Sequence, residues 1–289
     1  MPESRADLHA AVLDWYTAHG RPLAFRATSD PWAILVSEVM AQQTQAARAA
    51  EAWSRFMTAF PTPITLAAAS PAAVVRAWRG LGYNRRALAL RDAAVRIVER
   101  HAGVVPAEVE ALEVLPGVGP YTARAVAALA YGRRVGPVDT NVRRVLGRAF
   151  FDGSPGAREL QVFADEIVPE RDPGTWSHAL MDIGAQLCRP RLPRCDACPL
   201  MSRCRSARSI AGAAAASRRP EPRFEASARW LRGRIIDQLR DAADGAWVAF
   251  DGPIGQHGAE AIDRELDRLA RDGLLERHPE EAAAARLVA

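Results

Sequence analysis

The sequence predicts an all-α body followed by a small α+β module at its C-terminal end, and three observations predict it. Apolar residues recur at spacings of three and four from about residue 11 to residue 150, the stripe of amphipathic helices. No convincing strand is found before about residue 246. Residues 206–225, SARSIAGAAAASRRPEPRFE, are rich in Ala, Ser, Pro and Arg, as a linker would be.

The helices follow in order. AAVLDWYTA is the first periodic run, and WAILVSEVMAQQTQAARAAEAWSRFM reads as a continuous helical stretch. RRALALRDAAVRIVERH, YTARAVAALAYG and NVRRVLGRAF complete the body, with Pro31, Pro61, Pro71, Pro106 and Pro173 near helix starts or between helices. After the linker, ARWLRGRIIDQLRDA predicts a helix, AWVAF a strand, AEAIDRELDRLARDG a helix and LLERH a second strand. That order is winged-helix-like.

With 289 residues, about half of them apolar, the chain can bury a sizeable core, and two or three domains are expected. No run of eighteen apolar residues is present, so no membrane span is expected. The start lacks a basic segment followed by an apolar one, which makes a cytoplasmic protein the expectation.

The net charge is +4 and the isoelectric point about 9.2. From Ala226 onward nine Arg stand against twelve Asp and Glu, so the tail carries −3 and residues 1–225 carry +7. The positive excess lies in the body, as a phosphate-binding surface requires. The acidic tail argues for packing or a protein contact instead. There is no lysine, which excludes Schiff-base chemistry by a side-chain amine; only an N-terminal amine at Pro2 stays formally open.

The cysteines are Cys188, Cys195, Cys198 and Cys204, spaced C-x6-C-x2-C-x5-C. Disulfides need an oxidising compartment. Zinc ribbons usually present two separated close pairs, whereas one close pair with longer spacers suits a [4Fe–4S] cluster. Spacing alone leaves zinc and cluster open. Between Cys188 and Cys195 lies RPRLPR, which places Arg189, Arg191 and Arg194 on a proline-stiffened loop.

Three further segments hold candidate chemistry. Leu115-Pro116-Gly117-Val118-Gly119 lies between helical runs; its glycines permit close approach, and the following helix opens with free N–H groups that suit an anion. By itself it is equally a plain tight turn. Asp139 stands just before the helix near Asn141, as an N-cap would. Glu38 interrupts the apolar ILVSEVM and lies either on a polar stripe or buried for a purpose.

HALMDIGAQLCRPRLPRCDACPLMSRC resembles the cluster loop of the endonuclease III and MutY families of DNA repair enzymes. LPGVG followed by YTARAVAALA and VDTNVRRV resembles their DNA-binding hairpin, and SEVM-x-QQTQ the MutY active-site helix. The resemblance runs from about Leu13 to Cys204. It implies a two-lobed helix-hairpin-helix glycosylase with a [4Fe–4S] cluster on the four cysteines. One lobe is a helical bundle with the hairpin; the other joins the first helix to residues 134–205. Double-stranded DNA with a mispaired or damaged base is the implied partner of a monomer working with the nucleoid.

Residue by residue, the resemblance makes Glu38 the general acid that protonates adenine. Asp139 stabilises the sugar cation, Tyr121 and Asn141 support the site, and Arg26 lines the base pocket. Residues 115–119, Arg189, Arg191 and Arg194 contact DNA. Tyr83, in Gly80-Leu-Gly-Tyr83, wedges into the duplex, with Gln42 or Gln43 filling the gap left by the flipped base. Tyr121 occupies the place of the lyase lysine, which implies a monofunctional enzyme; tyrosine there is shared with thymine-mismatch glycosylases, so Glu38 is what favours adenine. Phe25-Arg26 replaces the usual Trp-Arg, and Ala41 the usual leucine. The tail lacks the length of the Nudix-like domain that most MutY proteins use to recognise 8-oxoguanine. A thymine, uracil or other damaged-base glycosylase is the first rival reading, a non-catalytic cluster-bearing DNA-binding protein the second.

Overall fold

The computed structural model describes residues 4–151, 154–210 and 223–289. Most of the expected linker, residues 211–222, lies outside the described residues. The helices are α1 Arg5–His19, α2 Pro31–Ala41, α3 Ala46–Ala59, α4 Pro63–Ala67, α5 Pro71–Ala77, α6 Arg85–His101 and α7 Val109–Glu113. Then come α8 Pro120–Tyr131, α9 Thr140–Phe150, α10 Ala157–Glu166, α11 Pro173–Asp182 and α12 Ala207–Ile210. The C-terminal module is α13 Ala228–Asp241, β1 Val248–Ala249, α14 Ala259–Arg271, β2 Leu275–Arg277 and β3 Ala284–Leu287.

These elements form two compact units that interleave along the chain. The first comprises residues 1–38, 106–114 and 118–217, the second 39–105, 115–117 and 218–289. In the first, α1 packs its Leu8 and Val12 against Val142, Leu146, Leu160, Trp176 and Ile183 of the later helices. Helix α11 continues into one π turn, Ile183–Leu187, that delivers the chain to Cys188. Gly184 is obligatory there: a Cβ would stand 2.6 Å from Asn141 Cβ, so its absence lets the first turn of α9 lie against the π turn.

The second unit joins α3–α6 to the C-terminal module. Ala72 and Val75 of α5 share a core with Leu231, Ile235, Leu266 and Leu287. Buried Arg240 reinforces this by donating from Nε to the Val75 carbonyl (2.9 Å) and from Nη2 to Asn84 Oδ1 (2.9 Å). The sheet order is β1-β3-β2, antiparallel throughout, with Val248 opposite Ala285 and Leu275 opposite Leu287.

Two sequence expectations are corrected. The stretch read as one helix over WAILVSEVMAQQTQAARAAEAWSRFM is two, α2 and α3, broken at Gln42–Gln45 with Gln43 left-handed at φ 54°. The break has a tertiary cause. Arg86 of α6 donates from Nη1 to the carbonyls of Val39 (2.9 Å), Met40 (3.1 Å) and Gln42, satisfying the groups α2 leaves unpaired at its end. The second correction is β3, the central strand, which the sequence reading lacked. AAAARLVA has weak strand propensity, and pairing on both sides stabilises it instead.

Candidate active site

Helix α2 is apolar along nearly its whole length, so its Glu38 enters the core with it and is 6% exposed. Its carboxyl lines a cavity of about 380 Å³ together with Phe25, Arg26, Ser37, Gly174 and His178. Burial pushes the Glu38 pKa up to about 7. The Tyr121 hydroxyl, which donates to Met181 Sδ at 3.7 Å, and the charge of Arg26 oppose that rise, while the charge of Asp139 adds to it. The first unit thus holds a carboxylic acid that keeps a proton near neutrality.

Tyr121 lies in the first turn of α8, behind Pro120 at the first helical position. Its hydroxyl pKa is raised, burial being the largest cause and the Glu38 charge the next, so it remains a donor. Asp139 is the N-cap of α9, as expected: Oδ1 accepts from the Val142 N–H at 2.6 Å. Oδ2 accepts from Asn141 Nδ2 at 2.9 Å, and Asn141 Oδ1 accepts from Arg144 Nη2 at 2.8 Å. Arg144 also donates to the Gly184 carbonyl at 2.7 Å. The carboxylate is therefore held by a helix start and a relay of side chains, which fixes its direction.

Arg26 lines the cavity, but its guanidinium is committed to Asp182, with Nη1–Oδ2 at 2.8 Å and Nη2–Oδ1 at 2.9 Å. Asp182, 0% exposed, also accepts from the backbone and Nε of Arg21 at 2.8 and 2.7 Å. The pair ties the loop before α2 to α11. His178 is a residue the sequence reading missed. Burial, reinforced by the Arg26 charge, lowers its pKa to about 3, so a neutral imidazole lines the same cavity as Glu38. A single histidine in TWSHALMDIG carries no spacing signal that would have found it.

The hairpin residues divide. Leu115 and Val118 are buried and anchor the turn, while Gly117 and Gly119 are exposed. The buried side chains of Leu115 and Val118 leave the backbone of the turn as the part of these two residues that a partner can reach. Gly117 is left-handed at φ 75°, and a Cβ on it would stand 2.9 Å from Ala89 Cβ. Gly119 is the N-cap of the twelve-residue α8 and supplies no side-chain cap. In the second unit, Gln42, Gln43, Tyr83 and Pro116 all line one cavity of about 1080 Å³. Gln42 Nε2 donates to the Gly117 carbonyl at 3.3 Å.

Cys188, Cys198 and Cys204 pack against the core of the first unit, and Arg148 Nη1 lies 3.6 Å from Cys188 Sγ. Burial pushes the Cys198 thiol up to about 11, and the charges of the other three cysteines add to the rise, as expected of sulfurs grouped in one place. Among the described residues, no three His, Cys, Asp or Glu side chains are grouped so as to hold a single ion. Ligation of a [4Fe–4S] cluster needs four thiolates, a donor set of the kind these four cysteines offer. Arg189, Arg191 and Arg194 are exposed on the loop between the first two cysteines.

Comparison with known proteins adds the family. Residues 36–170 match the HhH-GPD superfamily of base excision DNA repair proteins. An adenine DNA glycosylase of Mycolicibacterium smegmatis is 42% identical over 269 residues, covering 92% of this chain and 91% of that one. The adenine DNA glycosylase of Mycobacterium tuberculosis strain H37Rv is 40% identical over 280 residues, covering 92% and 89%. The chain belongs to the adenine DNA glycosylase family. The helix-hairpin-helix fold is shared with a solved thermostable thymine-DNA glycosylase, with a TM-score of 0.67 and 27% identity over 71% of this chain and 97% of that one. Phe25 lies in the wall of the Glu38 cavity.

Proposed function

We propose that this protein removes adenine mispaired with 8-oxoguanine or guanine from duplex DNA by hydrolysis of the N-glycosidic bond. The observation that carries this reading is Glu38, a cavity-lining acid with a pKa of about 7. Adenine leaves poorly until a ring nitrogen is protonated, and an acid that still holds a proton near neutrality can supply it. As the C–N bond breaks, the electron pair leaves with the protonated base and the sugar becomes cationic. Asp139, fixed by Val142 and Asn141, faces that charge and stabilises it. Water then adds to the sugar and gives up its proton, which leaves an abasic site. The Tyr121 hydroxyl orients Glu38, and Arg26 and His178 wall the base pocket.

The DNA is held by the exposed backbone of Gly117 and Gly119, the positive end of the α8 dipole, and Arg189, Arg191 and Arg194. Tyr83 wedges into the duplex, and Gln42 and Gln43 fill the space the flipped base vacates. Cys188, Cys195, Cys198 and Cys204 would hold a [4Fe–4S] cluster, which when bound braces the arginine loop against the core of the first unit. One copy of the chain carries all of these groups.

Single-turnover cleavage tests the reading on duplexes that differ at one pair: A opposite 8-oxoguanine, G or T, and T or U opposite G. Release of A opposite 8-oxoguanine or G, with A opposite T untouched, is expected. Cleavage confined to T or U opposite G overturns the adenine assignment, and no cleavage of any duplex overturns catalysis.

A further inference from the structure

Gly80, Gly82 and Tyr83 are all left-handed, at φ 87°, 65° and 45°. For a tyrosine this conformation is strained, and the residue is 42% exposed and lines the large cavity of the second unit. Two guanidiniums lie on that ring. Arg86 Cζ is 5.6 Å from the centroid and cannot leave, because Nη2 also donates to Thr44 Oγ1 and to the carbonyls of Leu81 and Gly82, each at 3.1 Å. Arg229 Cζ is closer, at 4.1 Å, and comes from the first turn of α13 in the C-terminal module.

Arg229 is exposed and forms no ion pair among the described residues. Arg86 and Arg229 repel each other, so what favours the Arg229 position is the face of the tyrosine ring itself. Its helix is anchored in the core. Leu231 and Ile235 of α13 are buried with Ala72 and Val75 of α5, and Arg240 fastens the same helix to Asn84, the residue after Tyr83.

We propose that Arg229 is a positioning residue: it holds the Tyr83 ring in the orientation in which it enters the duplex, and so gives the C-terminal module a part in opening the DNA. This rests on the reading of Tyr83 as the wedge. It differs from a phosphate contact, since Arg229 would act through the tyrosine and not on the strand. A module of net negative charge can serve in this way, because one arginine is enough. A cation on an exposed ring restricts its orientation by an amount corresponding to about two- to fivefold in an equilibrium or rate.

The experiment is stopped-flow fluorescence of 2-aminopurine placed beside an A opposite 8-oxoguanine pair. Wild type, Arg229→Ala, Arg229→Lys, Tyr83→Ala and the double variant Tyr83→Ala/Arg229→Ala are compared. The expected result is a two- to fivefold slower fluorescence rise in Arg229→Ala, substantial rescue by Arg229→Lys, and no further effect of Arg229→Ala once Tyr83 is alanine. The salt dependence of duplex affinity is expected to be unchanged. An Arg229→Ala effect that persists in full in the Tyr83→Ala background overturns the proposal, as does a salt slope reduced by about one contact. Absence of any Tyr83→Ala effect overturns it together with the wedge. If wild type opens the duplex but never releases adenine, the function proposed above fails while the clamp stands.

Discussion

Replacing Glu38 by glutamine keeps the shape of the side chain and removes its ionisation, so activity and stability should move in opposite directions. At its ordinary pKa of 4.5 a carboxyl is protonated at pH 7 in roughly one molecule in three hundred. At a pKa of about 7 it is protonated in half of them. The buried acid is available at neutrality for that reason. Glu38→Gln should reduce single-turnover excision by about 10²- to 10⁴-fold, the usual contribution of a general acid. In wild type the rate should fall about tenfold per pH unit above 7, the dependence of a step that needs the acid form. The stability effect follows from the same shift. Folding favours the neutral form, so the contribution of Glu38 is whole below the unfolded-state value and is lost as pH rises through the folded one. A rise from 4.5 to about 7 corresponds to about 3 kcal/mol. Glu38→Gln, which cannot ionise, should therefore be more stable than wild type by up to that amount at pH 8, and the two should converge near pH 4.5. Denaturant unfolding at both pH values measures it. Excision within tenfold of wild type in Glu38→Gln, or a stability difference that does not change with pH, would refute this account of the residue.

Asp139→Asn keeps a good helix cap and loses the charge, so its melting temperature should stay close to wild type while single-turnover excision falls by about 10²-fold or more. Asp182→Ala strips Arg21 and Arg26 of a fully buried partner, and denaturant titration should show a loss of about 3–5 kcal/mol. Gly117→Ala forces a left-handed residue and a 2.9 Å contact with Ala89; destabilisation of about 1–3 kcal/mol is expected, with weaker duplex binding in a filter or anisotropy assay. Cys198→Ser should abolish the broad visible absorption of a bound [4Fe–4S] cluster in protein purified without oxygen; retention of a full cluster would remove Cys198 from the ligand set.

Where the reading depended on neighbours in the chain, the sequence was sufficient. The 85–101 helix, the Asp139 cap and the helix-strand-helix-strand order from Ala228 through LLERH follow from periodicity and capping chemistry, because those forces act over a few residues. The absence of lysine argued from composition against a lysine-dependent lyase. Glu38 was marked as out of place among apolar residues, but spacing could not say whether it faced solvent or core. Its burial, and with it the proton held near neutrality, came from the packing of the first unit around α2. The break between α2 and α3 was illegible because its cause, Arg86, lies more than forty residues away. The strand Ala284–Leu287 exists through pairing with β1 and β2, and local propensity gave no sign of it. His178 became a pocket residue, and Arg229 a partner of Tyr83, only once helices distant in sequence were brought together. Local chemistry thus named the groups that could react, whereas desolvation and long-range contact, which depend on the whole fold, decided which of them are protonated, oriented or held in place.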